Sequence, residues 1–267
     1  MKQIDTHRIF NIANADEFGT SALDVFRFQY ENNKVYRDFC DHLKKSPKNV
    51  SHHLEIPFLP ISFFKTHQVV SSQLEPQTIF TSSGTTQSTT SKHLVPDIEL
   101  YEESFLKAFE LFYGKPEEFC VLALLPSYLE REGSSLIYMV NSLIERSRHP
   151  NSGFYLHNLE ELHQKLQELE QKNTQTLLIG VSFALLDLAE QFPLSLKNTI
   201  VMETGGMKGR RKELIREELH YILKKGLGVD KIHSEYGMTE LLSQGYSKGS
   251  GIFQTPPWMK IITRDTE

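Results

Sequence analysis

Between residues 119 and 227, short apolar runs alternate with segments of helical period, and this alternation constrains the fold more than any other feature of the chain. Phe119 to Leu125 is an unbroken apolar run that stops at Pro126, and Gln175 to Val181 and Thr199 to Met202 are dominated by Leu, Ile and Val. Runs of this length without polar alternation read as strands buried on both faces. Between them, Ser134 is placed to cap a helix whose Leu136, Met139, Val140, Leu143 and Ile144 form one stripe. Asn158 and Glu161 make a cap pair ahead of Leu159, Leu162, Leu166 and Leu169. Glu213 to Lys225 reads as a further helix ending at Gly226. Strands and helices in this order predict an α/β fold, a mostly parallel sheet with crossover helices. The first 55 residues, rich in Phe, Tyr and charge, carry Phe26, Tyr30, Val35, Phe39 and Leu43 at spacings for amphipathic helices. Residues 1–55 are therefore expected to form a helical lead-in packed on a main α/β domain of residues 56–267. There is no internal repeat and no low-complexity segment.

At 267 residues a single domain can bury about 70–75% of its unfolded surface, so the core is expected to be self-sufficient. The net charge of −5, from 29 basic and 34 acidic residues, comes without a basic tail or stripe and argues against a nucleic-acid partner. The longest apolar run has only seven residues, and Met1-Lys2-Gln3-Ile4-Asp5 holds no apolar signal region, so neither a membrane span nor export is expected. Two cysteines, Cys40 and Cys120, make no disulfide framework and fit a reducing, cytoplasmic location.

Chemistry concentrates in three places. Thr81-Ser82-Ser83-Gly84-Thr85-Thr86 follows the β-like run Thr78-Ile79-Phe80 and offers hydroxyls and backbone N–H groups to an anion such as a polyphosphate. By composition alone a Ser/Thr-rich loop of this kind is usually a solvated connector. Far downstream stands Tyr236-Gly237-Met238-Thr239-Glu240, and between the two lies Thr204-Gly205-Gly206. The three elements in this order resemble the nucleotide site of the adenylate-forming superfamily, whose members make acyl-AMP from ATP and a carboxylic acid. The resemblance implies that the hydroxyl and glycine loop holds the phosphates, with Gly205-Gly206 and Tyr236 enclosing adenine. It also implies that Gly237 and Met238 complete the slot, Thr239 meets the α-phosphate and Glu240 holds Mg²⁺.

Leu125-Pro126-Ser127-Tyr128-Leu129-Glu130-Arg131, the run from Ile56 to Lys65, and His233-Ser234-Glu235 narrow the likeness to the acyl-protein synthetase (LuxE-like) branch, with phenylacetate-CoA ligases as more distant relatives. That branch activates a fatty acid and passes it to a protein thiol. The implied reaction is ATP- and Mg²⁺-dependent activation of a fatty or other hydrophobic acid, followed by transfer to a thiol acceptor, a protein cysteine or coenzyme A. Thr239 and Glu240 are its expected catalytic pair, and Phe183 and His233 its expected acyl-pocket residues. In the superfamily a small C-terminal subdomain brings a ribose-binding Asp and a catalytic Lys. Trp258 to Arg264 reads as a strand opening such an element, and the sequence given ends at Glu267. A truncated or naturally short protein is therefore expected, with the small subdomain absent or supplied by a partner subunit or separate part.

Other chemistries compete for the same residues. Gly180-Val181-Ser182-Phe183-Ala184 between a strand and a helix has the context of a nucleophile elbow, with Asp230 and His233 as triad candidates, and a serine acyltransferase or hydrolase is the rival from another class. Ser182 as a plain N-cap of helix 183–191 explains the same residue without catalysis. Glu160/His163 and Glu217/His220 have di-iron spacing but sit in the wrong architecture, and His52, His53 and His157 lack metal spacing. Neither Gly84 nor Gly226-x-Gly228 continues into a Walker or dinucleotide fingerprint. Lys208, Arg210, Arg211 and Lys212 crowd a predicted helix start, against its dipole, and are candidates for attracting pyrophosphate or an acidic acceptor. A non-catalytic nucleotide- or acyl-binding remnant is the third alternative.

Overall fold

The computed structural model describes residues 4–71, 75–82, 90–126, 133–156, 158–207 and 209–263. The chain opens with helices α1 (Thr6–Phe10), α2 (Ala15–Asn32), α3 (Lys34–His42) and the single turn α4 (Phe63–Thr66). Strands β1 (Thr78–Thr81) and β2 (Lys92–Val95) and helix α5 (Ile98–Tyr113) follow. Then come β3 (Cys120–Leu124), α6 (Ser135–Ser147), β4 (Gly153–Tyr155), α7 (Leu159–Gln171), β5 (Thr176–Val181), α8 (Ser182–Gln191), β6 (Thr199–Thr204) and α9 (Arg216–Leu227). A meander of β7 (His233–Met238), β8 (Leu241–Ser247) and β9 (Phe253–Gln254) ends the order.

Seven strands form one sheet in the order β4-β3-β5-β6-β7-β8-β9. The pairs from β4 to β7 are parallel, and β7-β8 and β8-β9 are antiparallel. The predicted mostly parallel α/β sheet is therefore present. Its physical cause is visible in β3 and β5, buried at every position, as strands covered on both faces must be. The caps act as expected: Ser134 Oγ accepts from Ile137 N–H, and Asn158 Oδ1 accepts from Glu161 N–H. The main core joins β3, β5 and β6 to Tyr101, Phe105 and Phe109 of α5 and to the buried faces of α6, α7, α8 and α9.

Four details depart from the expectations. The helix predicted for 213–225 starts at Arg216 and runs through Gly226 to a left-handed cap at Gly228. Gly226 is not a terminator but a contact point: a Cβ there would lie 2.6 Å from the Ala189 carbonyl oxygen, so its bare face lets α9 approach α8. Ser182 does not cap its helix; Val181 holds the cap position without a side-chain bond, and Ser182 is the first helical residue. Leu43 is exposed, and the small core of the leading helices is built instead from Phe26, Tyr36, Cys40 and Val50. Residues 258–263 form no strand. Pro256 and Pro257 lack the N–H a ladder requires, and Trp258 uses its indole N–H on Ser104 Oγ and Ser243 Oγ, each at 3.2 Å, while Phe10 packs edge-on against its ring.

Candidate functional site

The site is assembled from the carboxyl ends of the parallel strands, where open α/β sheets present their loops. Ser83, Gly84, Thr85 and Thr86 lie outside the described residues, but both ends of their loop are placed. Thr81 pairs with Lys92 across β1 and β2. Ser82 N–H donates to Ser91 O at 3.1 Å, and Ser91 N–H donates to Ser82 Oγ at 2.9 Å. Thr81 N–H also donates to Gly133 O at 2.7 Å, setting the loop beside the connection that follows β3.

His93 carries this hairpin onto the Tyr-Gly-Met-Thr-Glu element. Its Nδ1 lies 2.9 Å from the Thr239 carbonyl oxygen. A carbonyl can only accept, so the proton sits on Nδ1. Burial lowers the His93 pKa against the opposing pull of that bond and of Glu240, and the neutral ring is the form that fits. Phe64 packs edge-on against it with ring centroids 5.4 Å apart.

Thr239 and Glu240 form the two-residue connection between β7 and β8, whose Met238 and Leu241 are paired. Such tight hairpins ordinarily take positive φ angles, yet neither residue has one. The pairing of β7 with β8 shifts register between Tyr236 and Met238, an irregularity of the kind that bends a strand and raises its local twist. Tyr236 is 41% exposed, its ring 6.2 Å from that of Phe253, over which Arg216 lies at 4.9 Å. Among the described residues the Glu240 carboxylate makes no hydrogen bond or ion pair. Its charge acts on His93.

On β6 the register pairs Glu203 with Ser234, and one residue further the Thr204 hydroxyl donates to Glu235 Oε2 at 2.6 Å, so Gly205-Gly206 leaves β6 directly after a residue tied to the one that precedes Tyr236. Gly205 has φ 68, a left-handed angle at which a side chain is strained, and a Cβ on Gly206 would meet nothing within 4 Å. Two contacts therefore link the three segments: His93 of the hairpin with Thr239 of the turn, and Thr204, which leads into Gly205-Gly206, with Glu235, which leads into Tyr236.

Beneath them lie two buried carboxyls that sequence reasoning did not single out. Side chains alternate across a sheet, so Glu203 faces α8 and α9 while Glu235 faces α5. Burial pushes the Glu203 carboxyl up, but His220, Ser234 and the Arg216 charge outweigh it, and its pKa lies below the usual value. Burial pushes Glu235 up to about 7, the Thr204 hydrogen bond opposes this, and the Glu203 charge adds to it. The two surroundings push the carboxyls apart, Glu203 toward its charged form and Glu235 toward its protonated one.

His233 and Phe183 lie on β7 and α8 rather than in these turns. His233 opens β7, its Nδ1 3.2 Å from the Tyr113 hydroxyl, and burial with Lys248 and Lys231 nearby lowers its pKa to about 4. Phe183 is buried in α8 with the Arg210 guanidinium 5.2 Å above its ring. Arg211 is committed to Asp187 and Glu190 of α8, which explains one of the crowded cations as a structural tie; Lys208 lies outside the described residues.

The rival chemistries lack their geometry. Ser182 Oγ donates to Glu203 Oε2 at 3.2 Å, and His220 Nε2 lies 3.6 Å from Glu203 Oε1. The carboxylate thus stands between hydroxyl and imidazole, whereas a triad needs the imidazole in the middle. His233, one triad candidate, is engaged with Tyr113, and Asp230 is exposed. Among the described residues no group of three or more His, Cys, Asp or Glu could hold a metal ion, and no helix is long and apolar enough to cross a membrane.

A mostly parallel α/β sheet thus carries Gly205-Gly206 and the Tyr-Gly-Met-Thr-Glu turn at the carboxyl ends of β6 and β7. The family model described as acyl-protein synthetase, LuxE, matches residues 13–266. The chain belongs to that family. A search of curated proteins finds no match to it.

Proposed function

We propose that this chain activates a fatty or other hydrophobic carboxylic acid as acyl-AMP, for transfer to a thiol acceptor, a protein cysteine or coenzyme A, in the cytoplasm. The observation that carries this reading is the His93–Thr239 hydrogen bond, which holds the hydroxyl-rich hairpin against the turn carrying Thr239 and Glu240. An acid carboxylate oxygen attacks the α-phosphorus of ATP; the bond from that phosphorus to the bridging oxygen breaks, and pyrophosphate leaves with the electron pair. Negative charge gathers on phosphate oxygens, so catalysis is mainly electrostatic. Thr81 and Ser82 anchor the loop through their own backbone bonds, the N–H groups and hydroxyls of residues 83–86 serve the β- and γ-phosphates, and Thr239 serves the α-phosphate. Tyr236, Gly237 and Met238 face Gly205-Gly206 across the adenine slot, where glycine lets backbone approach the base.

Glu240 would hold Mg²⁺. A single carboxylate without a partner among the described residues fits that ion, which is commonly bound by one or two carboxylates together with the phosphates. When bound, it neutralises phosphate charge. The test is ATP–pyrophosphate exchange over a panel of acids of increasing chain length. Acid-dependent, Mg²⁺-dependent exchange is expected, and its absence with every acid would overturn the reading.

A further inference from the structure

We infer that Glu235 is a positioning residue: its buried carboxyl ties the turn Tyr236–Glu240 to the turn Thr204–Gly206, so that the two sides of the nucleotide slot move as one piece. The inference rests on the nucleotide reading above for its consequence and on geometry for its content. Pairing between β6 and β7 covers only Met202 with His233 and Glu203 with Ser234. Past that point the two segments diverge, β6 into the left-handed Gly205 and β7 into its register shift. One strong tie continues beyond the ladder, the Thr204 hydroxyl donating to Glu235 Oε2 at 2.6 Å.

The other oxygen faces the opposite side of the slot. A Cβ on Gly237 would stand 2.7 Å from Glu235 Oε1 and 3.4 Å from Gln244 Nε2. Gly237 is thus the residue that fits over this carboxyl, and the Tyr-Gly turn rests directly on it. The support extends downward, since Gln244 Nε2 donates to the Tyr101 hydroxyl at 3.1 Å and that hydroxyl donates to Ser135 O, also at 3.1 Å. Gln244 Oε1 is a buried acceptor with no partner among the described residues. A protonated carboxyl in the same cluster has a proton to offer, and Glu235 is the group whose surroundings favour that form.

The groups facing Glu235 are Thr204 and Glu203 of β6, Tyr101 and Tyr113 of α5, Tyr246 and Gln244 of β8, and His233 of its own strand. None is a lasting cation at neutral pH, because His233 is held neutral by burial. A second negative charge beside Glu203 is therefore unsupported, and raising the pH through about 7 should loosen the tie.

The test compares wild type, E235Q and E235A by calorimetric titration with ATP and Mg²⁺ from pH 6 to pH 8.5, and by amide hydrogen exchange of residues 204–207 and 235–241. E235A should weaken nucleotide about tenfold, the effect of leaving buried partners unpaired, and should speed exchange in both segments together. Wild-type affinity should fall across pH 7 while that of E235Q, which cannot ionise, stays level. Should E235A not fold, the pH profiles of wild type and E235Q decide the question on their own. Matching pH profiles of wild type and E235Q, or faster exchange confined to β7, would overturn the inference. A wild type that binds no nucleotide would overturn the functional reading instead, and the exchange measurement would still test the tie.

Discussion

His93 and Thr239, 146 positions apart, are joined by a hydrogen bond of 2.9 Å from the imidazole Nδ1 to the backbone carbonyl. Through it a two-stranded hairpin outside the main sheet is held against the tightest turn inside it.

The first prediction concerns that bond. His93→Ala removes the donor and leaves a part-buried carbonyl unpaired, at a cost of ~1–3 kcal/mol. The KM for ATP in pyrophosphate exchange should rise about tenfold with the fold retained, and His93→Asn, which keeps a donor, should recover part of the loss. An unchanged KM in both variants would show that the hairpin is held by other contacts.

Glu240→Gln preserves shape while removing the charge that Mg²⁺ requires. Acid-dependent exchange at saturating Mg²⁺ should fall ~100-fold or more, the scale of losing a preorganised charge contact at the reacting phosphate, with an unaltered unfolding transition. Exchange at the wild-type rate would remove Glu240 from the metal role.

Ser182→Ala separates the ligase from the serine acyltransferase. The hydroxyl supports Glu203 at 3.2 Å and is fully enclosed, so the variant should lose ~1–3 kcal/mol of stability and retain exchange. Loss of all acyl-transfer activity in a well-folded Ser182→Ala protein would restore Ser182 as a nucleophile.

Gly226→Ala sets two effects against each other. Helix propensity alone favours Ala by ~1 kcal/mol, but its Cβ would stand 2.6 Å from the Ala189 carbonyl oxygen, and backbone atoms yield poorly. Overpacking of this kind costs ~1–3 kcal/mol. Denaturant unfolding should therefore show a less stable protein, and a gain in stability would mean that α8 and α9 can slide apart.

Glu235 predicts a pH dependence of stability. Its folded pKa of about 7 lies above the usual carboxylate value, so between the two the folded state binds a proton that the unfolded state does not. Its contribution is full at low pH and is lost as pH rises toward 7, by at most ~3 kcal/mol. Thermal unfolding of wild type relative to E235Q should decline over that range and level off above it; parallel curves would refute a proton held on Glu235.

Much of the fold was legible because its signals are local. The apolar runs of β3, β5 and β6 and the caps Ser134 and Asn158 depend on a few adjacent residues, and each stands where expected. The role of Gly226 was not legible, because a glycine near a helix end looks like a terminator until the neighbouring helix is in view. Trp258 misled for a related reason: its apolar surroundings look like a strand, while two of its partners, Phe10 and Ser104, lie more than 150 positions away. At the site, the turn motifs could be seen as residues, but His93 carried no signal of its own. Glu235 did leave a trace, a carboxylate within a strand beside the Tyr-Gly pair, whose meaning depends on Thr204 of the next strand.

The central claim is that nucleotide binds between the hydroxyl-rich hairpin and the Tyr-Gly-Met-Thr-Glu turn, and its most direct test is a crystal structure with a non-hydrolysable acyl-AMP analogue. The prediction is adenine between Tyr236 and Gly205-Gly206, with the phosphate at Thr239 and within reach of the loop that follows Ser82. Adenylate bound anywhere else on the chain would contradict it.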